Sequence, residues 1–428
     1  MDIRRFFINF AALIKKNNVM KKIYSCVLML CMSATALAQS LDGTWLGKLQ
    51  VGPQALTIVF HFSGKTCKMD VTEQGAKGIP AEVRYIDSDS VSLAVPNIMM
   101  TYAAKLRGDS LSGTFCQGGL SMPLNMKRGE EKFNRPQEPA TPLPYTTKEV
   151  TFVNAAAGAT LAGTLSYPVG MKPGRRVPVV LMVTGSGLEN RDEELFGHRP
   201  FLVVADWLAR NGIASLRYDD RGFGESKGDA AKATSRDFAD DAKAGMDWLR
   251  RTGEFSKVGI IGHSEGGMIA FMLGQEHVPD FIVSWAGPAI PIDTLMQQQL
   301  SMIYRASGAP ENLLPKTAAE ARRIMLAQAD NEWMRFFLDY DPTEALKATR
   351  CPVFALNGDK DMNVPAGPNI AALRKYLPAN GKSKTKIYPG LNHMLQHCKT
   401  GLPTEISSIE ETISPEVLKD MSDWINSL

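Results

Sequence analysis

The sequence predicts an α/β domain preceded by a small all-β domain, and three observations support this division. Between Leu41 and about Arg128, apolar and polar residues alternate with a period of two, as in antiparallel strands. After residue 148, short apolar runs alternate with helical apolar stripes, the pattern of a mostly parallel sheet flanked by helices. One such run leads into Gly262-His263-Ser264-Glu265-Gly266, a G-x-S-x-G turn between a strand and a helix.

Residues 1–38 have the features of a leader. Met20-Lys21-Lys22 is a charged start, residues 23–32 form an apolar core, and Ala36-Leu37-Ala38 before Gln39 has the A-x-A form of a cleavage site. We therefore predict a signal peptide over residues 20–38 and export to the periplasm or the extracellular space. The apolar core is too short to act as a membrane anchor.

The leader also carries the excess positive charge of the chain. The whole chain has 48 Lys and Arg against 45 Asp and Glu, and removing residues 1–38 takes away six of the former and one of the latter, which leaves a net charge of −2. Without a basic excess to attract a phosphate backbone, nucleic-acid binding has no electrostatic basis.

Residues 39–129 are predicted to form an antiparallel β-sandwich or a small barrel, because turn clusters such as Ser63-Gly64-Lys65 separate the alternating runs. No catalytic constellation is visible there. The alternation places Cys67 and Cys116 on different faces, which argues against a bridge between them. Residues 130–148 contain four prolines and are interpreted as a stiff, extended linker to the second domain.

Three polar segments of the second domain, residues 149–428, each follow a predicted strand. The strand over 257–261 precedes Ser264, the strand over 351–356 runs into a turn that contains Asp359 and Asp361, and the strand over 384–388 is followed by His393. Because the carboxyl ends of parallel strands meet at one edge of a sheet, we expect these segments to converge. A serine, an acid and a histidine in this chain order indicate nucleophilic catalysis.

At these positions the chain resembles the α/β-hydrolase superfamily, and in particular bacterial serine esterases grouped with the serine-aminopeptidase-like hydrolases. G-H-S-E-G-G, N-G-D-K-D-x-x-V-P and P-G-L-N-H-M are similar to the nucleophile, acid and histidine blocks of that group. Residues 184–193 resemble its oxyanion loop, with Thr184 where many relatives carry His. The resemblance covers about residues 149–428 and implies an α/β-hydrolase fold with a helical cap over about 288–349.

The chemistry assigns the predicted roles. Ser264 attacks a carbonyl carbon, His393 takes its proton and returns it to the leaving group, and Asp361 orients the imidazole. By resemblance, the backbone N–H groups of Ser186 and Glu265 stabilise the oxyanion. This mechanism needs no metal and no organic cofactor.

Other residues compete for the roles of acid and base. Family spacing favours Asp361 over Asp359, which is interpreted as a turn former. His393 and His397 could bind a metal on one helical face, but Met394 stands where the H-E-x-x-H pattern needs its glutamate, so we predict no metal site and interpret His397 as a surface helix residue.

Two residues are candidates for substrate binding. Arg191 follows the oxyanion loop closely enough to reach a charged substrate group, although loop charges more often pair with one another. His263 could shape the cleft beside Ser264 or serve only in packing. Apolar residues of the cap could line an acyl pocket or pack the cap on the sheet, since Met and aromatic residues serve both uses.

We therefore predict an exported serine hydrolase that cleaves carboxylic esters through an acyl-enzyme, acting on a small-molecule ester or on an acyl group carried by a glycan or lipid. One alternative is a peptidase of the same fold, which would need an acid such as Glu189, Glu193 or Glu194 to hold an amine. Another is a ligand-binding protein with an inert hydrolase domain. The oligomeric state stays open.

Overall fold

The computed structural model describes residues 40–51, 54–72, 76–86, 89–129, 133–172 and 174–428, so the predicted leader lies outside the described residues. The described chain forms two compact units, one within residues 40–129 and one within residues 133–428. None of the helices in these ranges is long and apolar enough to cross a bilayer.

The first unit is a closed barrel of eight antiparallel strands. The pairing of β1 with β8, in which Trp45 lies opposite Arg128, closes the barrel. Alternate residues face inward and are buried, as Trp45, Phe60 and Leu93 illustrate. Cys67 is buried, and neither it nor Cys116 forms a disulfide. The strands are β1 (Gly43–Val51), β2 (Gln54–Ser63), β3 (Thr66–Val71), β4 (Ala76–Ile86), β5 (Ser90–Val95), β6 (Met100–Arg107), β7 (Ser110–Gln117) and β8 (Leu120–Arg128).

The second unit is built on an eight-stranded sheet with the order β16-β15-β14-β13-β11-β12-β10-β9. The six strands from β11 onward run parallel, and β9 and β10 are antiparallel additions at one edge. The strands are β9 (Thr147–Asn154), β10 (Ala159–Ser166), β11 (Val177–Val183), β12 (Ala214–Tyr218), β13 (Phe255–His263), β14 (Ile282–Trp285), β15 (Val353–Gly358) and β16 (Lys384–Tyr388).

Helices connect these strands and bury apolar residues against the sheet. The helix α2 shows how the sequence sets their bounds, because a capping box between Thr234 and Asp237 begins it and Gly253, at φ 71°, ends it. The helices outside the cap are α1 (Pro200–Arg210), α2 (Ser235–Thr252), α3 (Glu265–Gln275), α8 (Ala366–Tyr376) and α9 (Pro415–Asn426).

The segment between β14 and β15, predicted as a cap over about 288–349, is helical. Its members are α4 (Ile292–Ala306), α5 (Ala318–Gln328), α6 (Glu332–Asp339) and α7 (Thr343–Ala348). Their inward residues, including Leu295, Phe337 and Leu346, join the apolar core that also contains Met268 and Ile269 of α3. Packing against the sheet therefore accounts for much of the apolar content of the cap.

The segment interpreted as a linker is bound to the hydrolase unit over its described part. Arg135 donates hydrogen bonds to the carbonyl oxygens of Phe196, at 2.7 Å, and Ile409, at 2.8 Å. Gln137 bonds the backbone at residues 412 and 413, and Glu138 pairs with Arg199. The proline content predicted a stiff, extended linker, but these polar side chains attach residues 133–138 to two loops of the second unit. We call this segment the clamp.

Candidate active site

Ser264 stands at a strained turn between β13 and α3. Its backbone has φ 52° and ψ −118°, a conformation that a residue other than glycine adopts only when its surroundings enforce it. A Cβ on Gly262 would collide with the backbone of Gly266, and a Cβ on Gly266 would collide with the carbonyl of Val183. The two glycines therefore let the turn close, and Ser264 remains partly accessible.

Asp361 and His393 form a hydrogen-bonded pair. Asp361 follows β15, His393 follows β16, and the His393 Nδ1 lies 2.8 Å from the Asp361 Oδ2. The other carboxylate oxygen accepts the backbone N–H groups of Asn363 and Val364, each at 2.8 Å. The pair is buried, and the two backbone donors fix the carboxylate so that it can orient the imidazole.

His263 and Trp285 connect the base to the nucleophile turn. The His263 Nε2 and the Trp285 Nε1 both lie 3.3 Å from the backbone carbonyl oxygen of His393. The rings of His263 and His393 have centroids 4.7 Å apart, and Ser264 is the residue after His263. In the described part of the chain, the His393 Nε2 makes no hydrogen bond, which leaves this nitrogen for a reacting group.

The oxyanion loop packs against the nucleophile. A Cβ on Gly185 would lie 3.5 Å from the Cβ of Ser264, so the backbone after β11 passes directly beside the serine. The Gly185 N–H donates to the Glu193 Oε1 at 2.8 Å, and this bond fixes the loop just before Ser186. Thr184 lies close to Asp220, with its hydroxyl 3.3 Å from a carboxylate oxygen.

The side chain of Glu265 joins the nucleophile helix to the cap. Its Oε1 accepts the Ser235 hydroxyl at 2.6 Å and the indole N–H of Trp333, on α6, at 2.9 Å. Burial raises the pKa of Glu265. Ser235 was not a sequence candidate, and Trp333 was considered only among the cap residues that could line an acyl pocket or pack the cap. Nothing in one sequence shows which cap residue will reach residue 265.

Further carboxyl groups surround the oxyanion loop. Burial raises the pKa of Asp220 to about 8. Burial and the charges of Glu193, Asp220 and Glu265 together raise the pKa of Glu189 well above its usual range. Acids so close together do not all ionise at neutral pH, because like charges in a buried site disfavour one another.

The structure does not support a substrate-binding role for Arg191. Its five N–H donors are all used, by the carboxylates of Asp219, Glu149 and Glu225 and by the hydroxyl of Thr164. No donor is left for a substrate. Arg191 orders the loops around it, which is the alternative that the sequence had left open.

Asp359 and His397 lie apart from the acid–base pair. Asp359 is exposed and accepts the N–H of Gly390 at 2.7 Å, as a turn former does. His397 is exposed and bonds Glu411, and it lies on a loop that forms an isolated bridge with Leu391. The interpretation of His397 as a surface helix residue was therefore wrong, and the helical face assumed for a metal pair does not exist.

Glu193 and His263 form a second buried histidine–carboxylate pair, with Nδ1 and Oε1 2.7 Å apart. The sequence left open whether His263 shapes the cleft or serves only in packing; its buried side chain lies between Glu193 and the carbonyl of His393. Glu193 appeared only as a possible amine-binding acid. Nothing in the sequence distinguishes it from Glu194, which is exposed.

Comparison with known proteins shows which family model and which proteins this chain is similar to. A family model described as serine aminopeptidase, S33, matches residues 199–397. Esterase EstD of Thermotoga maritima is 26% identical over 292 residues, which cover 66% of this chain and 68% of that protein.

Solved structures similar to this chain include the Pyrococcus furiosus esterase Pf2001, with TM-score 0.46 and 17% identity over 70% of this chain and 99% of that one. Another is Est1E of Butyrivibrio proteoclasticus with bound ferulic acid, with TM-score 0.43 and 18% identity over 65% of this chain and 99% of that one. The predicted fold class and family resemblance are confirmed by the family model, the esterase relative and the mixed sheet. The family model and the esterase relative support an α/β hydrolase of the serine-aminopeptidase-like group, with a carboxylesterase-like activity.

Proposed function

We propose that this protein hydrolyses carboxylic esters through an acyl-enzyme formed on Ser264. The observation that carries the proposal is the buried Asp361–His393 pair, joined at 2.8 Å, at the same sheet edge as the strained Ser264 turn. A carboxylate that fixes one imidazole nitrogen while the other stays available is the arrangement that general-base activation of a serine requires.

In the proposed reaction, the Ser264 Oγ attacks the ester carbon as its proton passes to the His393 Nε2. The tetrahedral intermediate then expels the alcohol, which takes the proton from His393, and an ester remains on Ser264. Water repeats the sequence and releases the acid. The backbone N–H groups of Ser186 and Glu265 are the proposed oxyanion donors, and losing one such donor typically costs about 3 kcal/mol of barrier.

The alternative of a peptidase has less support from the acids that it would use. Glu193 already accepts from Gly185 and pairs with His263, while Glu194 is exposed with its carboxylate 3.5 Å from the Asn190 amide. We infer that the substrate is a small-molecule ester, or an acyl group borne by a glycan or lipid, and that the cap covers it.

The test compares the native protein with Ser264→Ala and with Ser256→Ala, an exposed serine on the same strand. The native enzyme and Ser256→Ala should hydrolyse nitrophenyl acetate or butyrate and gain one adduct from a serine-reactive phosphonate, at Ser264. Ser264→Ala should fold but lose both properties. Faster cleavage of peptide amides than of esters would favour the peptidase, and labelling at another serine would contradict the mechanism.

We also propose that the protein is exported after cleavage of residues 20–38. The charged start, the apolar core and the A-x-A site all precede Gln39. Mass spectrometry of the protein recovered outside the cytoplasm should find Gln39 at the amino terminus. A terminus that still includes residues 23–32 would mean that the segment is retained and the proposal is wrong.

A further inference from the structure

The pair formed by Glu193 and His263 contacts three parts of the site at once. Glu193 binds the oxyanion loop through the Gly185 N–H, at 2.8 Å, and binds His263 at 2.7 Å. His263 in turn contacts the backbone of His393 at 3.3 Å and is followed by Ser264. A chain of hydrogen bonds therefore runs from the residue before an oxyanion donor to the backbone of the base.

The partners of His263 determine where its protons lie. A backbone carbonyl can only accept, so the Nε2 that faces the carbonyl of His393 must carry a proton. The Nδ1 faces a carboxylate oxygen that also accepts the N–H of Gly185. Burial by itself would lower the pKa of His263, but the charge and hydrogen bond of Glu193 raise it above its usual value. Both contacts of His263 are ones that a doubly protonated imidazole can make, so we expect a buried imidazolium–carboxylate pair.

The backbone of Glu193 is held in an unfavourable conformation. Its φ is 53°, and that of Phe196 nearby is 51°, both in the left-handed region that residues other than glycine seldom adopt. The surrounding bonds maintain this shape, since Glu193 donates its N–H to the Asn190 carbonyl and Arg135 of the clamp binds the carbonyl of Phe196. Strain of this kind persists where the rest of the structure enforces it.

We propose that Glu193 and His263 are positioning residues, which hold the oxyanion loop and the base loop in the geometry that the transition state needs. The inference rests on the proposed function but adds two residues that do not touch the reacting atoms. An isosteric Glu193→Gln would keep an acceptor for Gly185, yet it would leave His263 either charged without a counter-ion or neutral with its Nδ1 lone pair facing an oxygen. In either state, the hydrogen-bonded connection between the oxyanion loop and the base loop would be weaker.

The test compares Glu193→Gln with Glu194→Gln, a variant of its exposed neighbour. The concentration of active enzyme is measured by titration with the phosphonate, so that misfolded protein is excluded from the rate constants. For Glu193→Gln, we expect kcat/KM on nitrophenyl acetate to fall about 10- to 100-fold, the scale of small misplacements in a catalytic site. Affinity for a trifluoromethyl ketone, which forms a tetrahedral adduct on Ser264, should fall by a similar factor. Affinity for the matching unfluorinated ketone should stay the same, and Glu194→Gln should behave like the native enzyme.

A second measurement does not depend on activity or on a folded variant. In the native protein at neutral pH, nitrogen-detected NMR of the imidazole rings should find both nitrogens of His263 protonated. A neutral His263, or a Glu193→Gln enzyme with native kcat/KM and native ketone affinity, would overturn the inference. An inactive native enzyme would instead contradict the proposed function, so the two failures are distinguishable.

Discussion

The site contains two buried histidine–carboxylate pairs whose contact distances are almost equal. Asp361 and His393 are joined at 2.8 Å, and Glu193 and His263 at 2.7 Å. They differ at the other imidazole nitrogen. In His263 this nitrogen bonds the backbone carbonyl of His393, whereas in His393 it makes no hydrogen bond within the described chain. A carboxylate partner does not by itself make a histidine a base, because the second nitrogen must also be free to exchange a proton.

The carboxylates differ as well. Asp361 receives two backbone N–H groups on the oxygen that does not face His393, which fixes its orientation independently of the imidazole. Glu193 uses one oxygen for both of its contacts, so its position depends on Gly185 and His263 together. The first pair is suited to orienting a base, and the second to joining two loops.

The largest expected effect is that of Asp361→Asn. The amide would keep the shape of the carboxylate but would favour the wrong tautomer of His393, so kcat should fall by about 10³- to 10⁴-fold. If the two pairs have different roles, the loss of activity in Asp361→Asn should exceed the loss in Glu193→Gln by at least about tenfold. Steady-state kinetics on nitrophenyl butyrate measure both variants.

Asp359→Asn is the matched control for that prediction. Asp359 lies in the same turn, but it is exposed, and within the described residues its side chain accepts only from the backbone of Gly390. Its substitution should leave kcat within about twofold of the native value, the usual scale for a surface change. Equal losses in the two variants would mean that the turn, and not the His393 partner, governs activity.

The sequence predicted the fold class because the strand periodicity and the helical stripes are local patterns. It also predicted which residues to consider for the acid–base pair, since the polar segments after β13, β15 and β16 must meet at one sheet edge. The structure brings Asp361 and His393 together as that reasoning expects, and it places Ser264 on the turn between β13 and α3.

Side-chain direction and long-range polar contacts were not predictable in this way. The sequence does not show that Glu193 is buried while Glu194 is exposed, because the contacts of Glu193 come from Gly185 and from the distant His263. The sequence allowed that Arg191 pairs with nearby loop charges, but it did not show that all of its donors would be used in this way. Proline content likewise gave no sign that Arg135 and Gln137 would bind loops more than 50 residues away in sequence.

A second prediction uses the opposite pKa shifts of two buried histidines. Burial and the nearby Arg135 lower the pKa of His198 to about 4, from an ordinary value of 6.5. The folded state therefore favours neutral His198, and its contribution, roughly 3 kcal/mol, is present above pH 6.5 and lost as the pH falls toward 4. The pKa of His263 is raised, so its contribution is present at low pH and lost as the pH rises through the raised value.

Unfolding measurements over a pH series can separate these two histidines. The difference in free energy of unfolding between the native protein and His198→Gln should shrink from pH 7 to pH 4. The difference between the native protein and Glu193→Gln should instead shrink toward alkaline pH. If both differences changed in the same direction, His263 would not be a charged partner of Glu193.

The smallest expected effect comes from the clamp, which contacts the loop that carries Glu193. A shortened protein that begins at Phe133 keeps Arg135, Gln137 and Glu138 with their contacts to residues 196, 412 and 199, whereas one that begins at Pro139 loses all three. We expect the first to hydrolyse nitrophenyl acetate within about twofold of the full chain, because every proposed catalytic residue lies after residue 185. The second should lose up to about tenfold in kcat/KM, since the strained backbone at Glu193 and Phe196 would lose a contact that holds it, while the Asp361–His393 pair keeps its own hydrogen bonds.

A double variant tests whether the clamp acts through the second pair. Adding Glu193→Gln to the protein that begins at Pro139 should lower kcat/KM by a smaller factor than in the full chain, because residues that act through one shared arrangement are not additive. Full additivity would show that the clamp stabilises the fold without acting through the second pair.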